Sequence, residues 1–132
     1  MLQQTQVKTV IPYFKKFTEN YKTLKSLSKA NENQILKLWE GLGYYRRARN
    51  LLASAKLLVN KYNSKLPDNL KELKKLPGVG EYTANALLGL VHDKPTIAID
   101  GNVKRIFARL LNKKEMGINF EKLISINKKK LF

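Results

Sequence analysis

The chain has 132 residues, and its 26 Lys and Arg against 10 Asp and Glu give a formal net charge of +16, a balance that favours a polyanionic partner through phosphate contacts and counterion release. That length accommodates one domain with its own core but not two substantial ones. There is no cysteine, which excludes disulfides and thiolate-held metal within these residues, and the lone His92 has no partners at ligand spacing, so no metal ligand is assigned.

No apolar run approaches the roughly 20 residues that cross a bilayer, and no signal peptide opens the chain. A soluble, intracellular protein is expected. In chain order the pattern is that of helices joined by short turns, hence all-α. Val10, Phe14 and Phe17 form an apolar stripe on a helix expected over Thr9–Asn20, with Thr9 as N-cap and Pro12 within the first turn. Ile35, Leu38 and Trp39 follow an Asn31 cap and stop at Gly41-Leu42-Gly43. Leu51, Leu52, Ala55, Leu58 and Val59 mark a helix over Tyr44–Tyr62. Pro67-Asp68 opens a short helix that ends at Leu76-Pro77-Gly78-Val79-Gly80. Ala84, Leu87, Leu88 and Val91 lie at i, i+3, i+4 and i+7, and so do Val103, Ile106, Phe107 and Leu110 after Asp100. A last helix is expected from about Phe120, with Leu123 and Ile124 apolar. Both ends lack caps, so the chain reads as truncated at each.

Three places have the residue types for chemistry. At Gly78-Val79-Gly80, glycines let backbone N–H groups approach an anion, and the following helix adds its positive end. The plainer reading is a glycine-capped helix–helix turn. At Tyr44-Tyr45-Arg46-Arg47-Ala48-Arg49, guanidiniums suit phosphates and a ring can wedge between bases; alternatively, a tyrosine pair lies beside a solvated basic face. Asp100-Gly101-Asn102 reads as a helix N-cap. A carboxylate there can also stabilise the positive charge that develops on a sugar when an N-glycosidic bond breaks.

Leu76-Pro77-Gly78-Val79-Gly80, followed by Glu81-Tyr82-Thr83-Ala84, resembles the hairpin of the helix-hairpin-helix DNA glycosylases, which endonuclease III-type relatives share. Met1-Leu2-Gln3-Gln4-Thr5-Gln6-Val7, Trp39-Glu40-Gly41-Leu42-Gly43-Tyr44-Tyr45 and Asp100-Gly101-Asn102-Val103-Lys104-Arg105 resemble signatures of MutY-type adenine DNA glycosylases, in the same order. The resemblance implies the helix-hairpin-helix DNA glycosylase fold, mainly its six-helix barrel lobe, with residues 1–132 as part of a single HhH-GPD domain. It implies a monofunctional hydrolase that flips adenine from A:8-oxoguanine or A:G mispairs in double-stranded DNA and releases it, in base excision repair.

By the same resemblance, Asp100 matches the catalytic aspartate, and Tyr82 and Asn102 match residues lining the active site. Gln4 and Thr5 match positions that probe the gap or its opposite base, and Tyr44 matches the wedge. Arg46 and Arg49 belong to the same basic surface, and Gly78, Val79 and Gly80 to the phosphate-gripping hairpin. Related lyases place a lysine where Tyr82 stands, because an amine forms a Schiff base and a phenol cannot. The family's proton-donating glutamate would precede Met1, so these residues alone are expected to bind duplex DNA weakly and excise adenine poorly. A 4Fe-4S cluster and an 8-oxoguanine-reading domain, both expected of the full-length family, have no counterpart here. A monomer in the bacterial cytoplasm, associated with the nucleoid, is expected. The alternatives are an endonuclease III-like glycosylase/lyase and a non-catalytic helix-hairpin-helix binding module.

Overall fold

The structure, a computed structural model, describes residues 1–112 and 119–120. Seven α-helices and no strand occur among the described residues. They fall into two compact units, one formed by Met1–Pro67 with Lys75–Gly78 and the other by Asp68–Lys74 with Val79–Phe132.

In the first unit, α1 (Val7–Asn20) starts earlier than Thr9: its N-cap is Gln6, with no side-chain cap. The earlier start moves Pro12 into the second turn, where it has no N–H for the Lys8 carbonyl. Phe14, expected in the core, is 57% exposed. The inward face is instead Val10, Tyr13 and Phe17, three and then four residues apart, and Phe14 falls just outside that arc.

The short α2 (Leu24–Ser28) was not foreshadowed by periodicity. Its start is fixed by a reciprocal capping box in which the Ser26 N–H donates to Thr23 Oγ1 at 3.0 Å and the Thr23 N–H to Ser26 Oγ at 3.2 Å. A second box, between Asn31 and Gln34, starts α3 (Glu32–Trp39) where the sequence predicts it, satisfying N–H groups that the first turn cannot. Ile35 and Trp39 on α3 are each 1% exposed, and the Trp39 ring stands edge-on to Phe17 with centroids 6.2 Å apart. Burying side chains of this size contributes about 1.5–3 kcal/mol each.

The main helix of this unit, α4 (Arg46–Lys61), buries Ala48, Leu52, Ala55 and Leu58 and packs against α2 and α3. It begins at Arg46 rather than Tyr44 because Tyr44 has a φ of 50°, which no right-handed helix accommodates. It ends before Asn63 and Ser64, both at positive φ, with the Ser64 N–H returning to the Leu58 carbonyl at 2.9 Å.

In the second unit, α5 (Leu70–Leu73) is capped by Asn69, whose Oδ1 accepts the Glu72 N–H; Pro67-Asp68 precede it without being helical. It packs on α6 (Glu81–His92), which buries Ala84 and Leu88 but leaves Val91 58% exposed. The helix closes with Asp93 at φ 50° and the Lys94 N–H on the Leu88 carbonyl, a left-handed C-cap. α7 (Gly101–Leu110) has the expected N-cap, Asp100. Of its stripe, Val103 and Phe107 are half-buried while Ile106 and Leu110 are exposed, so only one edge of the stripe is covered among the described residues. The Phe120 ring stands edge-on to Phe107 at 6.1 Å. Leu123 and Ile124, on the expected last helix, lie outside the described residues.

Candidate nucleic-acid interface

In the first unit, the segment before α1 and the turn before α4 come together. The Thr5 N–H bonds the Leu2 carbonyl at 3.1 Å, closing a turn in which Gln4 takes a φ of 56°. Gly43 and Tyr44 form the other turn, with φ of 74° and 50°, and the buried Trp39 holds it by donating Nε1–H to the Gly43 carbonyl at 3.1 Å. Gln3, Gln4, Tyr44, Arg46, Arg47 and Asn50 line one open pocket. Tyr44 is 62% exposed, so its ring is presented to solvent rather than used as core.

Between the two segments lies the Arg47 guanidinium, which the sequence does not distinguish from its neighbours. Its Nη1 donates to the Met1 and Gln3 carbonyls and, at 2.9 Å, to Thr5 Oγ1. Nη2 donates to the Gly43 carbonyl at 3.1 Å. The group also lies 5.3 Å from the Tyr44 ring centroid and 5.7 Å from that of Trp39, within cation–π range. Arg46 is exposed at the pocket rim. Arg49 is directed elsewhere, with its Nε 2.6 Å from Glu32 Oε1.

Gly78 needs to be glycine twice over. Its φ is 78°, and a Cβ there would lie 2.6 Å from Asn50 Nδ2. Val79 is half-buried and Gly80 exposed. Gly80 is the N-cap of α6 and brings no capping side chain, so the cap position leaves room at a positively polarised helix end. Glu81, in the first turn, is tied to Lys74 at 2.5 Å.

Within the second unit, Asp100 Oδ1 accepts the Val103 N–H at 2.8 Å, and Asn102 Nδ2 lies 3.4 Å from Oδ2. Asn102 Oδ1 accepts in turn from Arg105. The Val103 N–H is the main reason that the Asp100 carboxyl is held below the ordinary carboxylate value; partial desolvation opposes it, and Asn102 and the Arg105 charge reinforce it. Asp100 is therefore a carboxylate at neutral pH, suited to stabilise a cation and unsuited to donate a proton. The segment leading to it is fastened by Thr96, whose hydroxyl donates to the Asn85 carbonyl at 2.9 Å and which packs against Gly89. Tyr82, in the first turn of α6, is 50% exposed. The structure thus brings Asp100 to Asn102, and Gln4 to Tyr44 and Arg46.

Among the described residues no group of three or more His, Cys, Asp or Glu is placed to hold a metal ion, and no helix is long and apolar enough to cross a membrane. The chain contributes no thiolate, so its residues do not fit an iron–sulfur cluster.

The chain is 48% identical over 109 residues to an adenine DNA glycosylase of Buchnera aphidicola (subsp. Baizongia pistaciae), covering 83% of this chain and 31% of that protein. It is 40% identical over 111 residues to the adenine DNA glycosylase of Homo sapiens, covering 83% of this chain and 20% of that protein. The chain thus spans less than a third of the length of these relatives. Among solved structures, a thermostable thymine-DNA glycosylase superposes with a TM-score of 0.83 at 28% identity, covering 98% of this chain and 61% of the other. A non-covalent endonuclease III–DNA complex gives 0.73 at 31% identity, with coverage of 80% and 50%. The sequence matches the HhH-GPD superfamily over residues 1–130, and the chain belongs to that superfamily of base excision DNA repair proteins.

Proposed function

We propose that the intact gene product is an adenine DNA glycosylase that hydrolyses the N-glycosidic bond of adenine mispaired with 8-oxoguanine or guanine in double-stranded DNA. The observation that carries this reading is the ionised Asp100, fixed at the start of α7 by the Val103 N–H with Asn102 beside it. As the bond to a flipped adenine lengthens, positive charge grows on the sugar, and a fixed carboxylate stabilises it without reorganising. Protonation of the departing base is the task of another group, since Asp100 is held in its charged form. Gln4, Thr5 and Tyr44 are read as the residues entering the duplex around the lesion, and Arg46 and Arg49 as phosphate partners. Gly78, Val79 and Gly80 are read as the backbone grip on the strand. The match over residues 1–130 supports treating the chain as part of one HhH-GPD domain; that it acts as a monomer on DNA in the bacterial cytoplasm is part of the proposal.

The likeness to endonuclease III supplies a second reading, a glycosylase with lyase activity. Tyr82 opposes it, because a phenol cannot form the Schiff base that lyase chemistry uses. Single-turnover assays on an A:8-oxoguanine duplex, with and without borohydride, separate the two. Adenine release without a specific covalent adduct supports the proposal, and efficient trapping at one lysine overturns it.

A further inference from the structure

Gln4 and Tyr44 are both non-glycine residues with left-handed backbone, at φ 56° and 50°. Such a conformation costs on the order of 1–3 kcal/mol and persists where the surroundings over-determine it. Neither residue is held by burial, since both are exposed. What they share is a neighbour. Arg47 bonds the Gln3 carbonyl and the Thr5 hydroxyl on either side of Gln4, and the Gly43 carbonyl immediately before Tyr44, while the Tyr44 ring lies 5.3 Å from its guanidinium carbon. Arg47 itself is anchored by the Trp39 face and is partly buried, with Nε shielded from solvent.

We propose that Arg47 is the positioning residue for duplex entry: one guanidinium holds Gln4 and Tyr44 in their strained conformations before DNA arrives, and its charge is used inside the protein rather than on a phosphate. The proposal rests on the reading of Gln4 and Tyr44 as DNA-entering residues. The chemistry requires arginine. A planar fork reaches the N-terminal segment from Nη1 and the glycine turn from Nη2 at once, whereas a lysine ammonium is a single point that can serve one side. Ordering both segments in advance removes an entropic penalty from binding, so the effect falls on affinity. Arg46, next in sequence, points outward to the pocket rim and does not substitute for it.

The test compares Arg47→Lys with Arg47→Met and with Lys56→Gln, which removes one exposed charge elsewhere on α4. Binding of the intact gene product to an A:8-oxoguanine duplex and to a fully paired duplex is measured alongside the backbone resonances of Gln4, Tyr44 and Val103. Arg47→Lys is expected to keep the charge yet shift the Gln4 and Tyr44 resonances, leave Val103 unmoved and weaken mispair binding about tenfold, or ~1.4 kcal/mol. Lys56→Gln is expected to leave all three resonances and the preference for the mispair intact. Arg47→Met tests whether stem packing alone suffices; wild-type resonances in that variant overturn the proposal. So does wild-type mispair binding by Arg47→Lys. A wild-type protein that does not prefer the mispair overturns the functional reading of Gln4 and Tyr44, while the resonances still decide whether Arg47 holds them.

Discussion

Asn50 on α4 lies against Gly78, close enough that a Cβ on Gly78 would stand 2.6 Å from Asn50 Nδ2 and 3.0 Å from its Cβ. Gly78→Ala therefore meets two obstacles, a side-chain clash and a φ of 78°. Chemical denaturation is expected to show a loss of about 1–3 kcal/mol from the left-handed backbone alone, with the clash added. Asn50→Ala in the same background removes the Nδ2 contact but keeps the residue 50 Cβ at 3.0 Å, so it should restore only part of the clash component. Full recovery in the double variant would mean that the backbone conformation costs nothing there.

Ile35 is 1% exposed and sits in the cluster around Trp39. Ile35→Ala should lower unfolding stability by about 2–5 kcal/mol, the usual range for deleting a buried aliphatic group and leaving its cavity. The fluorescence of Trp39, the chain's single tryptophan, reports the transition. A loss within a few tenths of a kcal/mol would contradict the core as described.

The helices with long apolar periods were legible in the sequence, as was the Asn31 cap. The short α2 was not, because five residues are too few for a period and the Thr23–Ser26 box alone marks it. Thr9 and Phe14 misled because the start of a stripe does not fix the start of a helix when no residue caps it. The exposed Ile106 and Leu110 show the same limit from the other side, since periodicity states which face is apolar and not whether anything covers it. At the site, Asp100 and the glycines could be read from residue type and spacing. Arg47 could not, because three arginines in one turn look alike and only the fold turns one of them inward. The positive φ of Gln4 and Tyr44 was equally silent, since neither residue type signals it.

Arg49 is paired with Glu32 across an exposed surface, an interaction worth about 0–1 kcal/mol. Glu32→Gln should release it and raise affinity for duplex DNA at low salt, with little change in stability. The slope of log K against log salt should steepen by roughly one ion. The gain should vanish in an Arg49→Ala background; its persistence there would assign the effect to Glu32 itself.

The lowered Asp100 pKa has a defined consequence for pH. A carboxyl whose folded pKa lies below its unfolded value stabilises the fold fully above the unfolded value, and that contribution disappears as pH falls through the folded one. The thermal midpoint of the wild type relative to Asp100→Ala should therefore be constant from neutral pH down to about pH 4 and converge below it. A difference that stays unchanged through the acid range where carboxylates protonate would show that the Val103 and Asn102 contacts do not favour the charged form.

The central claim is that Asp100 both caps α7 and stabilises the sugar cation. Asn is as good an N-cap as Asp but carries no charge, so Asp100→Asn separates the two roles. Single-turnover adenine release from an A:8-oxoguanine duplex by the intact gene product is the direct measurement. A melting temperature lowered only by the small contribution of the carboxylate charge, with release slowed by about a hundredfold or more, is the expected result, and release at the wild-type rate would contradict the account.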